Sequence, residues 1–150
     1  MEAVIFIGIP GSGKSTFFAE RFFDTHVRIN LDMLKTRHRE MIMISACFEA
    51  KQSFVVDNTN ITAAERARYI PLARQAGFQV VGYYFHSSLA ESLDRNQQRS
   101  GKALIPRKGV IARYHQLELP KFAEGFDALF SVQIDPSTNR FTVEEWKNEI

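Results

Sequence analysis

The chain has 150 residues, 45% of them hydrophobic and 12% aromatic. This is long enough for one compact domain with a real core and too short for two ordinary ones, so we expect a single domain over residues 1–150. Nineteen basic and seventeen acidic residues leave a net charge of only +2. That charge excludes tight binding of a long nucleic acid by bulk electrostatics alone, and any polyanionic partner must be held at a local site.

The single cysteine, Cys47, excludes a disulfide framework and a cysteine metal cluster, and we expect it to be buried as a small apolar side chain. The four histidines are too scattered to form a metal site. No leader-like segment opens the sequence, and no apolar run approaches the ~20 residues that span a bilayer. We therefore expect a soluble cytoplasmic protein without a structural metal and without a membrane partner.

Apolar runs predict five strands, at residues 3–9, 26–30, 53–57, 78–85 and 128–134. Helical patterns alternate with them, at residues 14–23, 32–50, 62–76, 89–100 and 106–119. This alternation predicts an α/β three-layer sandwich around a five-stranded parallel sheet. Thr142 followed by Glu145 matches a capping box and predicts a short final helix through Trp146.

Residues 8–15, GIPGSGKS, match G-x-x-x-x-G-K-[ST] between a predicted strand and a predicted helix. Glycines let backbone N–H groups curl around phosphate oxygens, and the N-terminus of the following helix favours negative charge. Lys14 is expected to reach the β- and γ-phosphates, and the Ser15 hydroxyl to ligate Mg²⁺. The predicted nucleotide-binding residues of this loop are Gly8, Pro10, Gly11, Ser12, Gly13, Lys14, Ser15 and Thr16.

The rest of the sequence narrows the class of nucleotide-binding protein. No guanine-reading N-K-x-D motif occurs, which argues against a switch GTPase, and large mechanical or AAA-type ATPases need a longer chain. A small phosphotransferase is favoured, which requires a carboxylate to activate the acceptor and cations to gather charge on the moving phosphoryl group.

Two carboxylates fall at predicted strand ends, where ligands sit in open α/β sheets. Asp57 closes the apolar run SFVVD and is expected to position Mg²⁺ or its waters, and Asn58 and Asn60 add substrate-binding groups at the same mouth. Asp32 could accept the proton of an attacking hydroxyl, or only cap its helix. Lys35, one helical turn later, could bind a substrate phosphate or lie in solvent.

The segment RNQQRSGKALIPRK, residues 95–108, carries five basic residues. Arg95 and Arg99 share one face of a predicted helix, and arginine can bridge phosphate oxygens with two hydrogen bonds at once. The segment is therefore interpreted as a lid over the nucleotide or, alternatively, as a solvated basic face. Arg66, Arg68 and Arg74 are interpreted as mostly solvated.

Taken together, these motifs resemble the kinase domain of polynucleotide 5′-hydroxyl kinases of phage and animal end-healing enzymes. The similar segments are GIPGSGKSTF, RINLD, VVDNTN, RARYI, RNQQRSGKALIP and LPKFAEGFD. The resemblance implies a sheet order of 2-3-1-4-5, with Asp32 as general base, Lys14 and Ser15 contacting ATP and Mg²⁺, and Arg99 as a lid arginine beside Arg95.

The chain departs from this family at two positions. Asn30-Leu31-Asp32 replaces the family's Asn-Arg-Asp, and Lys35 replaces an arginine that binds the acceptor phosphate. No Asp-x-Asp-Gly-Thr phosphatase motif occurs, so we expect a kinase only. The leading acceptor is a polynucleotide 5′-OH end; the alternatives are a small hydroxyl substrate, or a module that binds ATP as a switch without transferring phosphate.

Overall fold

The computed structural model describes residues 1–98 and 105–147. Its strands are β1 (Glu2–Ile7), β2 (Val27–Ile29), β3 (Phe54–Val56), β4 (Gln79–Phe85), β5 (Ala128–Ile134) and β6 (Phe141–Glu145). Its α-helices are α1 (Lys14–Arg21), α2 (Leu31–Leu34), α3 (Arg37–Ala50), α4 (Ala63–Arg66), α5 (Ile70–Gln75), α6 (Leu89–Gln97) and α7 (Arg107–Gln116). A 3₁₀ turn covers Phe122–Glu124.

The strands form one mixed sheet in the order β2-β3-β1-β4-β5-β6. Neighbouring strands from β2 to β5 are parallel, and β6 pairs antiparallel with β5. The prediction of a five-stranded parallel sheet is therefore one strand short. Because β1, β2 and β3 run in the same direction, the segments that follow them meet at one edge of the sheet.

The predicted final helix is wrong, because Phe141–Glu145 forms β6. The Thr142 and Glu145 spacing suits a helix, but β6 pairs with β5 through five residues, from Phe141 opposite Ile134 to Glu145 opposite Phe130. The Phe141 ring packs 5.1 Å from the Phe17 ring. Pairing with an existing sheet edge and an aromatic contact outweigh a local capping preference.

The sheet is buried on both faces, as the continuous apolar runs predict. One face packs on α1 through a cluster of aromatic rings, in which Phe6 lies 4.9 Å from Phe85 and 5.8 Å from Phe17. The other face packs on α3 and α5, and it includes Cys47, which is 4% exposed as predicted. Burial raises the pKa of the Cys47 thiol. These two cores hold β1, and the loop that follows it, rigidly at the centre of the sheet.

Two predicted helices are each divided. The helix predicted at 32–50 is interrupted by Lys35, which has a φ of 78°, and Thr36 caps α3 by accepting a hydrogen bond from the Arg39 N–H. The helix predicted at 62–76 divides into α4 and α5, where a proline occupies the first turn of α5. The first break changes which side chains face the functional cleft.

In the part of the chain that the structure describes, no helix is both long enough and apolar enough to cross a membrane.

Candidate active site

The loop between β1 and α1 has the curled backbone that the phosphate motif requires. Gly11 and Gly13 adopt φ angles of 83° and 99°, which glycine reaches without the steric cost of a Cβ atom. Gly13 precedes the first residue of α1, and Phe17 donates its N–H to the Gly13 carbonyl at 3.0 Å. The loop thus directs the N-terminus of an eight-residue helix toward the edge of the sheet where the parallel strands end.

Lys14 is 8% exposed and lies against this loop. Its Nζ donates to the carbonyls of Gly8 and Ile9, at 2.9 Å each. These contacts keep the ammonium group inside the curl of the loop, next to the position where the motif is expected to hold phosphate oxygens.

A cleft of about 610 Å³ opens beside the loop. The predicted site residues that line it are Pro10, Lys14, Ser15, Asp32, Asp57, Asn58 and Asn60. Of the remaining loop residues, Gly8, Gly11, Ser12 and Gly13 are not part of this lining, and Thr16 is exposed on α1. The cleft thus brings together the predicted phosphate-binding loop and the predicted base.

Asp32 is exposed and lies in the first turn of α2. The cap of α2 is Asn30, whose Oδ1 accepts a hydrogen bond from the Met33 N–H at 2.9 Å. Within residues 1–98 and 105–147, the Asp32 carboxylate has no hydrogen-bond or ion-pair partner. The alternative that Asp32 only caps its helix is therefore wrong, because Asn30 is the cap and Asp32 lines the cleft.

Asp57 follows β3, and its side chain is only 1% exposed. The Ser15 hydroxyl donates to Asp57 Oδ2 at 3.1 Å, which brings together the two residues predicted to hold Mg²⁺. Arg28 completes the group, because its Nε donates to Asp57 Oδ2 at 2.8 Å and its Nη2 donates to Ser15 Oγ at 3.0 Å. The sequence did not identify Arg28 as a site residue. The available signal was an arginine inside a predicted strand, and the structure shows that this strand, β2, pairs with β3.

Asn58 supports the cleft rather than offering free groups to a substrate. Its Oδ1 accepts from the Leu31 N–H at 2.9 Å, and its Nδ2 donates to Glu40 Oε2 at 3.1 Å. Glu40 is 1% exposed and also accepts hydrogen bonds from the Tyr69 hydroxyl and from Arg37. This buried network holds the start of α2, and therefore Asp32, against the third strand.

Burial and the charges of this network shift the pKa values of Tyr69 and Arg37. Burial raises the pKa of Tyr69, and the nearby Glu40 carboxylate raises it further, although Arg37 acts in the opposite direction. Burial lowers the pKa of Arg37, but its hydrogen bond to Glu40 and the attraction of that carboxylate outweigh burial, so the pKa of Arg37 is raised overall. Both groups keep their ordinary protonation near neutral pH.

The expected substrate contacts at positions 60 and 35 are also changed. Asn60 is 3% exposed, and its Nδ2 donates to the Phe6 carbonyl at 2.9 Å, so its side chain ties the cleft floor to β1. Lys35 ends α2 with a positive φ and does not line the cleft, whereas a continuous helix would have placed it on the same face as Asp32. Arg37, after the break, lines the cleft instead.

The interpretation of Arg66 as solvated is wrong. Its side chain is fully buried and forms a bidentate pair with Glu124, with Nε to Oε1 at 2.7 Å and Nη2 to Oε2 at 3.0 Å. Its Nη1 donates to the carbonyls of Asn60 and Glu118. Arg66 therefore joins the floor of the cleft to the segment that precedes β5.

The predicted lid is only partly described. Arg95 Nε donates to the Gly11 carbonyl at 2.7 Å, and its Nη2 donates to Ser87 Oγ at 2.8 Å, so Arg95 holds the backbone of the phosphate loop. Arg99 and Lys102 lie outside the described residues. Helix α7 contributes a further arginine to the cleft, Arg113, which donates to Thr59 Oγ1 and Glu65 Oε1. The sequence alone does not show that Arg113 faces the cleft, because this depends on how α7 packs in the folded protein.

The comparison with protein families and known relatives agrees with this architecture. Residues 4–118 match the model of a family described as an AAA domain, AAA_33. The bifunctional polynucleotide phosphatase/kinase of Schizosaccharomyces pombe is 27% identical over 131 residues, which cover 83% of this chain and 32% of that protein. The L-seryl-tRNA(Sec) kinase of Methanococcus maripaludis is 27% identical over an alignment of 166 residues, gaps included, and this alignment covers 98% of this chain and 64% of that protein. The chain thus spans about a third of the length of the first relative.

Solved structures share the fold. The crystal structure of Chaetomium thermophilum Kti12 in complex with ADP-AlF3 matches with a TM-score of 0.63 at 16% identity, over 92% of this chain and 93% of that one. The family match corrects the expectation that this chain is too short for an AAA-type protein, because residues 4–118 match a family described as an AAA domain.

Proposed function

Since the chain belongs to the AAA-domain family AAA_33 and has the α/β fold of P-loop kinases, we propose that it transfers the γ-phosphate of ATP to a hydroxyl group, with the 5′-OH of a DNA or RNA end as acceptor. A kinase of this kind needs a triphosphate-binding loop, a base for the acceptor and cations around the moving phosphoryl group. The cleft supplies a candidate for each of these parts.

The single observation that carries the proposal is the state of Asp32. Its carboxylate is exposed and unbonded among the described residues, while Asn30 caps α2, and it lines the same cleft as Lys14 and Ser15. A general base must present a free lone pair to the acceptor hydroxyl. A carboxylate held beside a phosphate loop and spared from capping meets this requirement.

In the proposed reaction, the acceptor hydroxyl loses its proton to Asp32 as its oxygen bonds to the γ-phosphorus. The bond between that phosphorus and the bridging oxygen of ADP breaks, and the electron pair leaves with ADP. Lys14 offsets the negative charge on the β- and γ-phosphates, and the N-terminus of α1 faces the same oxygens.

A magnesium ion fits the groups present. The Ser15 hydroxyl and the Asp57 carboxylate lie 3.1 Å apart, and both are hard oxygen donors of the type that Mg²⁺ prefers. When bound, Mg²⁺ neutralises charge on the phosphates during transfer. Because Asp57 is buried and held by Ser15 and Arg28, its carboxylate is kept in one orientation toward the loop.

The charge of the cleft supports an acceptor that carries phosphate. Arg37 and Arg113 both line it, and the Arg37 side chain is 45% exposed although Glu40 accepts a hydrogen bond from one of its nitrogens. Arginine donates to phosphate oxygens in a planar fork, which a neutral sugar or alcohol would not need. Two relatives whose names refer to a polynucleotide and to a tRNA support the same class of acceptor.

The test uses a 5′-OH oligonucleotide and γ-labelled ATP with purified Asp32→Asn protein. Loss of the base is expected to lower the transfer rate by roughly 10²–10⁴-fold, with little change in ATP affinity. Asp24→Asn is the matched control, because Asp24 is exposed in the turn after α1 and outside the cleft. A normal transfer rate in Asp32→Asn would show that this carboxylate is not the base.

The acceptor is tested separately with an ADP-release assay on matched compounds. A 5′-OH oligonucleotide and a nucleoside 3′-monophosphate are expected to be better acceptors than the nucleoside without phosphate, because only they can engage the cleft arginines. A preference for small neutral hydroxyl compounds would favour a metabolite kinase. Tight ATP binding with no transfer to any acceptor would favour a nucleotide-dependent switch module.

A further inference from the structure

Arg28 bonds both groups that are proposed to hold the divalent metal. Its Nε lies 2.8 Å from Asp57 Oδ2, and its Nη2 lies 3.0 Å from Ser15 Oγ. The Ser15 hydroxyl donates to the same Asp57 oxygen at 3.1 Å, so the three side chains form a closed ring of hydrogen bonds. Arg28 is also the only ion-pair partner of Asp57 among residues 1–98 and 105–147.

The environment explains why a cation sits here. The Asp57 side chain is 1% exposed, and a buried carboxylate is costly unless a positive group or several donors compensate it. Arg28 is one-third exposed, so one end of its guanidinium reaches the buried carboxylate while the rest remains near solvent. The strand register accounts for the contact: Arg28 pairs with Val55 on β3, and Asp57 lies two residues further on the same face.

A metal ion held by Ser15 and Asp57 would share oxygen atoms with Arg28. A divalent cation on Ser15 would share the hydroxyl oxygen that accepts from Arg28 Nη2, and a cation or its water on Asp57 Oδ2 would share the oxygen that accepts from Arg28 Nε. The +2 ion and the guanidinium would also repel each other at this distance. The shared oxygens and the repulsion therefore make Arg28 and a divalent cation compete for Ser15 Oγ and Asp57 Oδ2.

We propose that Arg28 is a built-in competitor for the divalent metal: it neutralises Asp57 in the free protein, and Mg²⁺ must displace it from Ser15 and Asp57. This inference rests on the proposed function, because it takes Ser15 and Asp57 as the metal pair. Arg28 then sets how strongly the free protein holds a divalent ion. Nucleotide phosphates bound at the same time would supply negative charge that compensates both Arg28 and the metal.

The test measures Mn²⁺ binding to the nucleotide-free protein by electron paramagnetic resonance, where bound Mn²⁺ loses its sharp solution signal. Arg28→Gln is expected to bind Mn²⁺ roughly ten- to a hundredfold more tightly than the parent, since two charge-assisted hydrogen bonds no longer compete. Arg28→Lys keeps the charge but cannot bridge both oxygens in the same way, and an intermediate affinity is expected.

Two controls locate the effect. Arg21→Gln removes an equal charge from α1 without contacting Ser15 or Asp57, and it should leave Mn²⁺ affinity unchanged. In the Arg28→Gln background, Asp57→Asn should abolish the gain. Equal Mn²⁺ affinity in the parent and in both Arg28 variants, an equal gain in Arg21→Gln, or a gain that survives Asp57→Asn would each overturn the inference.

A loss of stability in a variant would not prevent the measurement of Mn²⁺ binding. Thermal unfolding of each variant with and without Mn²⁺ reports binding as a rise in Tm, and that rise should be larger for either Arg28 variant than for the parent. Neither measurement uses phosphoryl transfer. The kinase proposal can therefore fail in the acceptor assays while the Mn²⁺ result stands, and the reverse is equally visible.

Discussion

Replacement of Arg66 by methionine is expected to be among the most destabilising single changes in this protein. The guanidinium is fully buried, and it makes a bidentate pair with Glu124 and donates to two backbone carbonyls at 3.0 and 3.1 Å. Methionine fills much of the same volume, so the perturbation removes the charge and the hydrogen bonds more than the packing.

The magnitude follows from what is left behind. Removing one partner of a buried ion pair costs about 3–5 kcal/mol, because the other charge remains without compensation. The Glu124 side chain is 17% exposed and also accepts from the Lys121 N–H, so water and that donor recover part of the loss. The two carbonyls left without Arg66 add to the cost, and we expect about 4 kcal/mol in total.

Urea unfolding followed by circular dichroism measures this change, and a fall in Tm of about 10 °C should accompany it. Arg68→Met is the matched control, because Arg68 is an exposed arginine two residues away, and its replacement should change the unfolding free energy by less than about 0.5 kcal/mol. The double variant Arg66→Met with Glu124→Leu should recover part of the loss. A cost below about 1 kcal/mol for Arg66→Met, or an equal cost for Arg68→Met, would refute the reasoning.

Two further predictions follow from local geometry and from burial. Gly11→Ala should weaken binding of a fluorescent ATP analogue at least tenfold, since a Cβ atom there would clash with the Ser92 carbonyl oxygen. Gly77→Ala is the control, because Gly77 has a similar φ but a Cβ atom there would have no neighbour within 4 Å. An equal loss of binding in both variants would show that the clash with Ser92 is not the cause. Burial raises the pKa of Tyr69, so the folded state holds a proton that the unfolded chain releases above about pH 10, and stability should fall as pH rises beyond that value. Tyr69→Phe should make this fall less steep in urea titrations at about pH 9 to 11. An unchanged slope would contradict this cause.

Some features of this protein follow from short-range sequence alone. The eight residues of the phosphate loop and the run ending in Asp57 are contiguous, and their backbone requirements are local: glycines where φ is positive, an apolar strand before the loop and a helix after it. The same is true of the alternation of strands and helices that predicts an α/β sandwich. The sequence also placed Asp32 beside the loop, because the ends of parallel strands share one edge.

Other features depend on contacts that no local pattern contains. The Thr142 to Glu145 spacing suits a helix, yet the free edge of β5 makes a strand of it. Arg37 lines the cleft and Lys35 does not, because Lys35 has a positive φ and ends α2, so a continuous helix does not run on from Asp32. Asn58 appears in sequence as a free polar group, and only the buried Glu40 on α3 shows that its amide is already bonded.

The contacts of Arg66 and Arg28 are two further features that the sequence did not predict. A sequence does not tell a solvated arginine from a buried one, because the difference lies in whether a carboxylate from a distant segment meets it: Glu124 is 58 residues from Arg66, and Asp57 is 29 residues from Arg28. The sequence by itself determined the curled backbone of the glycine-rich loop and placed a carboxylate, Asp32, at the neighbouring strand end. The tertiary structure decided which cations face that carboxylate, because the desolvation and pairing of charge depend on neighbours that only folding brings together.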